Sequence, residues 1–180
     1  MRPLRKEEAR IFFEKLNQFI GNNAERLLKR DGAEWTFRVH KDRVYYLRKD
    51  IADLCPPFAS KLLLSAGICM GKFTKKGRFF LHVTCLPIIA PIAQYKVWIK
   101  SSAELGFLYG QHILNEGVQN IDEGVNRGAG VVVYNSNDLP IGLGIALQSS
   151  VSLRNASPIV HAIARVGDLG EYLRNESTVT

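Results

Sequence analysis

The sequence predicts an α+β chain of two small domains: an α/β half, residues 1–93, then a small mixed β-barrel with short helices, residues 94–180. Three observations predict it. The chain has 180 residues, the upper end of one domain or room for two small ones. A helical apolar repeat opens the chain, whereas the second half shows short strand patterns punctuated by Gly124, Gly128, Gly130, Gly142 and Gly144, all within 21 residues. Charge is also divided unequally. Residues 1–95 hold 18 Lys/Arg against 9 Asp/Glu (+9), and residues 96–180 hold 6 against 8 (−2).

The elements follow in order. Phe12, Leu16, Phe19 and Ile20 lie one, two and two-plus turns apart, a single buried stripe of a helix that Gly21 terminates. A short helix through Glu25–Leu28 precedes the Asp31-Gly32 turn. Trp35, Phe37 and Val39 alternate with polar residues, and Val44–Leu47 follows the turn at Lys41-Asp42, which makes a hairpin with one wet face. Asp50 is placed to cap a helix from Ile51 to about Cys55, where Pro56-Pro57 interrupts it, and a further helical turn is expected over 58–65. Phe73-Thr74 and the run Phe79–Leu86 flank Lys75-Lys76-Gly77, a second hairpin, after which Pro87 and Pro91 mark a connector. Tyr95, Val97 and Ile99 share one face of a strand, with Lys96, Trp98 and Lys100 on the other. Ser101 and Glu104 have capping-box spacing for a short helix that stops at Gly110. Val131–Tyr134 and Leu139–Ala146 flank the polar turn Asn135–Asp138, a strand is expected over Ile159–Val166, and Gly167–Tyr172 opens a last short helix.

Composition bounds the function. Hydrophobic residues make up 46% and charged residues 23%, enough to bury a core and to exclude wholesale disorder. No run reaches the roughly 18 apolar residues of a membrane helix, and the amino terminus is charged with both signs rather than signal-like, so no membrane partner and an intracellular setting are expected. Cys55, Cys69 and Cys85 are too few and too dispersed for a disulfide framework or zinc site, and His40, His82, His112 and His161 stand alone, so no metal is expected. Gly142-Leu143-Gly144 falls inside a strand pattern and lacks a third glycine, and Gly67 to Lys72 is too short for a phosphate loop. No Gly-x-Ser-x-Gly elbow occurs, and Glu7-Glu8 and Asp122-Glu123 are sequence neighbours that point apart. The residues read as a binder without a cofactor rather than as an enzyme. The densest basic cluster, Lys72-Phe73-Thr74-Lys75-Lys76-Gly77-Arg78, interleaves cations with a ring, a composition suited to single-stranded nucleic acid.

Several long runs carry a resemblance: Met1–Leu4, Asp42–Tyr46, Gly71–Lys75, Leu81–Thr84, Ala90-Pro91 with Tyr95–Lys100, Phe107–Gly110, Gly130–Tyr134 and Asp168–Tyr172. Over the whole chain the sequence resembles the small two-domain ribosome-biogenesis proteins of eukaryotes and archaea needed for 60S subunit assembly, the Nip-seven family. The resemblance implies a carboxy-terminal PUA pseudobarrel, an RNA-binding module, behind the family's own α/β domain. It also implies a non-catalytic monomer in the nucleolus and nucleus that binds precursor ribosomal RNA, supports rRNA processing and contacts other pre-60S assembly factors. Archaeal relatives present a basic late strand on the PUA domain. Here Pro158–Gly167 offers only His161 and Arg165 in a net acidic half. RNA contact is therefore expected to be shared between Lys72, Lys75, Lys76 and Arg78 on the first domain and Lys100, Arg154, His161 and Arg165 on the barrel. The alternatives are a protein–protein adaptor within pre-ribosomal particles, for which Ile159 and Ile163 are candidates, and an RNA-modification enzyme component.

Overall fold

In the computed structural model, which describes residues 1–30, 32–55, 63 and 65–174, the chain opens with a short strand β1 (Arg2–Pro3) and helix α1 (Lys6–Ile20). The first turn of α1 is held by Glu8, whose carboxylate accepts the Arg5 backbone N–H at 2.8 Å and both Arg2 guanidinium nitrogens at 2.6 Å. A carboxylate there also complements the helix dipole. Phe12, Leu16, Phe19 and Ile20 are fully buried, as the repeat predicts, and Gly21 ends the helix. Helix α2 (Glu25–Leu28) and strand β2 (Lys29–Arg30) follow.

Strands β3 (Ala33–His40) and β4 (Arg43–Arg48) form a hairpin where expected, in register from Trp35 against Arg48 to His40 against Arg43, but without the expected wet face along β4, where Val44, Tyr45, Tyr46 and Leu47 are all buried. Helix α3 runs Lys49–Asp53, starting and ending two residues earlier than expected. Arg48, not Asp50, is its amino-terminal cap: Asp50 sits in the first turn, bound to Arg48 at 2.6 Å and to the Ile51 N–H at 2.9 Å. Of the helical turn expected over 58–65, only Leu63 and Ser65 are described. Strands β5 (Ile68–Phe73) and β6 (Phe79–Leu81) make the second hairpin. The expected strand through Leu86 ends at Leu81. Beyond it, Val83–Cys85 turns as 3₁₀ helix and helix α4 (Leu86–Ile89) follows. Val83, Cys85, Leu86, Ile88 and Ile89 are all buried, and an apolar run buried on every side has no period by which strand and helix differ. Pro87 fits the first turn of α4, where its missing N–H leaves no bond unmade.

The second unit begins its sheet with β7 (Lys96–Ile99), then α5 (Ser101–Leu108), β8 (Ile113–Leu114), β9 (Val118–Ile121), β10 (Gly130–Tyr134), β11 (Pro140–Ala146), α6 (Ser150–Arg154), β12 (His161–Asp168) and α7 (Glu171–Arg174). The capping box expected at Ser101 does not form: Lys100 holds the cap position without a side-chain bond, and the Ser101 hydroxyl meets Ser136 at 3.3 Å. Strands β8 and β9 and helix α6 carry no clear pattern. The Ser149 hydroxyl caps α6 by accepting the Ser152 N–H at 3.1 Å, a device that a serine-rich loop composition conceals.

Contacts divide the chain into one unit of Met1–Asn17 and Gly21–Cys85 and another of Gln18–Ile20 and Leu86–Thr180. The first unit's sheet, order β1-β3-β4-β5-β6 with β2 also on β3, is antiparallel throughout. On its inner face Phe12 packs against Phe37 and Phe79, with ring centroids 4.8 and 5.1 Å away. On its outer face Tyr45, Leu47 and Cys69 form a smaller cluster with Met1 and with Ala52 of α3. The second unit's sheet, order β8-β12-β11-β10-β7-β9, is mixed, because β10 and β7 run parallel. It curls around Val97, Ile99, Phe107, Val131, Val133 and Ile163 as a nearly closed barrel, the α+β architecture expected. Gly142 permits the closure: a Cβ there would lie 2.5 Å from the Gly167 carbonyl and 2.7 Å from the Phe107 ring.

Candidate nucleic-acid interface

The basic cluster sits on a tight turn between β5 and β6. The Thr74 carbonyl accepts the Gly77 N–H at 2.9 Å, Thr74 N–H donates to the Arg78 carbonyl at 2.8 Å, and the Thr74 hydroxyl accepts the Arg78 N–H at 3.1 Å. Gly77 has φ +76° and open space where a Cβ would go, so its glycine is there for the left-handed backbone alone. Lys75 and Lys76 occupy the two corners of this turn and, with Arg78, are exposed to solvent. Lys72 lies three residues earlier on β5, half-buried.

The neighbouring β3–β4 turn adds cations that the sequence pattern did not single out. Phe73 N–H donates to the Asp42 carbonyl at 2.7 Å, binding the two turns together, and Arg43 pairs in register with Lys72. Lys41, Asp42, Lys72, Phe73, Thr74 and Lys75 border a groove of about 440 Å³ at this end of the sheet. Strand register was the missing signal: 29 residues separate Arg43 from Lys72 in sequence, yet they sit on adjacent strands. Among the described residues none of Lys41, Arg43, Lys72, Lys75, Lys76 and Arg78 joins an ion pair. Burial pushes the His82 imidazole down to about 4, and the positive fields of Lys72 and Arg43 add to the effect.

The barrel's four candidate residues are not brought together in this way. Lys100 Nζ donates to the Glu116 carbonyl at 2.7 Å and borders a cavity of about 540 Å³ with Gly106, Gln111 and His112. His112 Nδ1 accepts the Arg165 backbone N–H at 3.1 Å, and the exposed His161 ring lies perpendicular to it at 5.8 Å. Arg154 pairs with Glu123 at 3.1 Å on an open surface. The Arg165 guanidinium is bound to Asp168 and Glu171, and Arg174 donates to both Asp168 oxygens at 2.9 and 3.0 Å. Asp168 is completely buried, and burial raises Glu171. Two cations and two carboxylates thus neutralise one another within β12 and α7. The acids three and six residues after Arg165 were the signal for this pairing.

Among the described residues no three His, Cys, Asp or Glu side chains are grouped to hold a metal ion, and no helix is long and apolar enough to cross a membrane. Cys69 and Cys85 are buried thiols whose ionisation burial pushes up.

The NIP7/UPF0113 pre-PUA domain family matches residues 1–83, and the UPF0113 PUA domain family matches residues 95–177. A 60S ribosome subunit biogenesis protein NIP7 homolog of Xenopus laevis is 46% identical over 180 residues, covering 100% of both chains. Its Sus scrofa counterpart is 44% identical over the same span. Among solved structures, a hypothetical protein of Pyrococcus horikoshii OT3 shares the fold, with a TM-score of 0.61 at 19% identity over 98% of each chain. With both domain models matched in order and relatives similar from end to end, the chain belongs to the NIP7 family of 60S ribosome subunit biogenesis proteins.

Proposed function

We propose that this protein is a non-catalytic RNA-binding assembly factor. It acts in the nucleolus on pre-60S particles, holds precursor ribosomal RNA and supports its processing. The observation that supports this reading is the end of the first unit's sheet, where Lys41, Lys72 and Lys75 line one groove with Glu8 and Asp42, Arg43 is registered against Lys72, and Lys76 and Arg78 follow on the adjoining turn, none of the six cations joining an ion pair among the described residues. A polyanion is the ligand such a surface recognises, because each phosphate neutralised releases counterions. Family membership supplies the setting, since the relatives are named for 60S subunit biogenesis and the second domain is of the PUA type. Lys100, which borders the cavity with His112, and His161, whose ring lies against His112, are the barrel's candidate contacts, within a PUA domain that we delimit at 94–180.

The test is a salt titration of RNA binding. Reversing Lys75, Lys76 and Arg78 to Glu weakens binding across RNA sequences and lowers the magnitude of the log–log salt slope by about 2, from roughly 0.7 per single-strand phosphate contact. Unchanged affinity and slope would reject the hairpin as an RNA surface. A second reading, docking to other assembly factors, draws support from Ile159 and Val151, which are 75% and 69% exposed, whereas Ile163 is fully buried in the barrel core. Capture of assembly factors that survives nuclease and is lost on Ile159→Asp identifies that role, and the two roles are compatible.

A further inference from the structure

At one end the outer face of the first unit's sheet carries the exposed Phe80 and the half-buried Arg43 and Lys72. The cluster of Tyr45, Leu47, Ala52 and Cys69 covers its middle. Beyond that cluster Arg43 is registered against Lys72 across β4 and β5, and Lys72 against Phe80 across β5 and β6. Residues directly opposite on neighbouring strands project from the same face, about 5 Å apart. The row therefore reads cation, cation, ring over two strand spacings, roughly 10 Å. Phe80 is 49% exposed, while its neighbours Phe79 and Leu81 are buried. Phe73 and Phe79 lie on the inner face, 4.9 Å apart, with Phe79 against Phe12, so Phe80 takes no part in that aromatic core. His82 senses Lys72 and Arg43 together, with Asp42 as the opposing acid.

We propose that this row is a stacking site for an unpaired base of single-stranded RNA, with the Phe80 ring against the base and Lys72 and Arg43 on the flanking phosphates. The inference rests on the RNA-binding reading above and adds the class of RNA. Inside a duplex both faces of each base are occupied by its neighbours, so away from the helix ends only an unpaired base can lie flat on an exposed ring. Rings framed by cations on an open sheet meet such bases with little regard for sequence. Lys75, Lys76 and Arg78, at the turn that joins β5 to β6, extend the positive track along the same strand pair.

The experiment uses the full chain, with a short fluorescent oligouridine strand and an RNA duplex whose two ends are closed by non-nucleotide linkers that cap the terminal pairs as probes in anisotropy titrations. Phe80→Ala weakens single-strand binding about tenfold, the loss of one stacked base, and leaves duplex binding unchanged. Phe80→Tyr restores it. In a strand carrying 2-aminopurine, fluorescence is quenched on binding by the wild type and by Phe80→Tyr but not by Phe80→Ala. Melting curves of both variants that superimpose on the wild type show that the half-exposed site tolerates the change. Wild-type affinity and quenching in Phe80→Ala, with Lys75→Glu, Lys76→Glu and Arg78→Glu still weakening binding, overturns the stacking site and leaves the RNA reading intact. An equal loss for single strand and duplex also overturns it. If the triple reversal has no effect either, the RNA reading itself falls, and the stacking site with it.

Discussion

Replacing Asp168 by Asn separates a cation that holds the barrel together from one that binds a ligand. Asp168 ends β12, is fully buried, and lies in register with Gly142 on β11. Its carboxylate takes the Arg165 Nε and the Arg174 guanidinium, and the Arg174 guanidinium also donates to the Leu108 carbonyl at the end of α5. Asparagine keeps the shape but leaves two guanidiniums facing a neutral amide that presents one acceptor. Breaking a buried pair by removing one partner costs about 3–5 kcal/mol. The Arg165 and Arg174 side chains remain 21% and 29% exposed and can turn towards water, which argues for the lower end. We expect a loss of about 3 kcal/mol, which at roughly 2–4 °C per kcal/mol for a chain of this size lowers Tm by about 6–12 °C. Calorimetry measures the shift, and faster amide exchange along β11 and β12 localises it. Arg165→Met lowers Tm in the same way while leaving the salt slope of RNA binding untouched. A Tm for Asp168→Asn within about 2 °C of the wild type would refute the reasoning, because so small a loss would mean that water already screens the cluster.

Three further outcomes follow from the first unit. Phe12→Ala empties the centre of the Phe37–Phe79 cluster and costs about 3–5 kcal/mol in denaturant unfolding, whereas Phe13→Ala, at a partly exposed position, costs less. Arg2 holds the Glu8 carboxyl down at about 2 from 4.5, so its contribution to stability is complete above pH 4.5 and fades as pH falls towards 2. Glu8→Gln removes that contribution at pH 7, and the gap between variant and wild type closes on acidification in urea titrations. Burial, aided by Lys72 and Arg43, lowers His82 from 6.5 to about 4. The unfolded chain therefore binds the extra proton first, and stability is lost between pH 6.5 and 4. An NMR titration that places the His82 midpoint near 6.5 would contradict this.

The parts of the fold legible in the sequence are those with one wet and one dry face. The stripe of α1, the alternation in β3, and the turns at Lys41-Asp42 and Asn135–Asp138 each leave a period or a turn residue in the chain. At the second of these turns the Asn135 side chain accepts the Asn137 and Leu139 N–H groups at 3.0 Å, the local bonding that makes asparagine a turn signal. Legibility fails where burial surrounds an element, as from Val83 to Ile89, and where an element is only a few residues long, as with β8 and β9. Capping was misread at both Asp50 and Ser101 for one reason. Each side chain lies one or two positions inside its helix, and the backbone conformation that defines the cap belongs to Arg48 and to Lys100.

The site shows the same limit for charge. Counting by halves places +9 in the first 95 residues, but a count does not distinguish a cation beside a carboxylate from one facing solvent. Arg2, Arg10, Arg38, Arg48 and Lys49 are matched to Glu8, Glu7, Asp53, Asp50 and Glu34, and these pairs cancel at the range of a ligand even where each contributes little to stability. In the second half Arg154 and Arg165 are likewise matched. Arg5, Lys6, Arg26 and Lys29 join no ion pair among the described residues either, but six unpaired cations lie where two hairpin turns meet, and two of these, Lys41 and Arg43, lie outside the dense run from Lys72 to Arg78. Because charges farther than the screening length of about 8 Å at physiological salt are largely screened, a phosphate strand responds to the unpaired cations beside it, not to the total. Lys41→Glu should therefore weaken RNA binding as much as Lys75→Glu, although the sequence places it over thirty residues away. If filter binding shows Lys41→Glu to be silent while Lys75→Glu is not, contact with the strand is confined to the β5–β6 turn, and the groove between the two turns has no part in it.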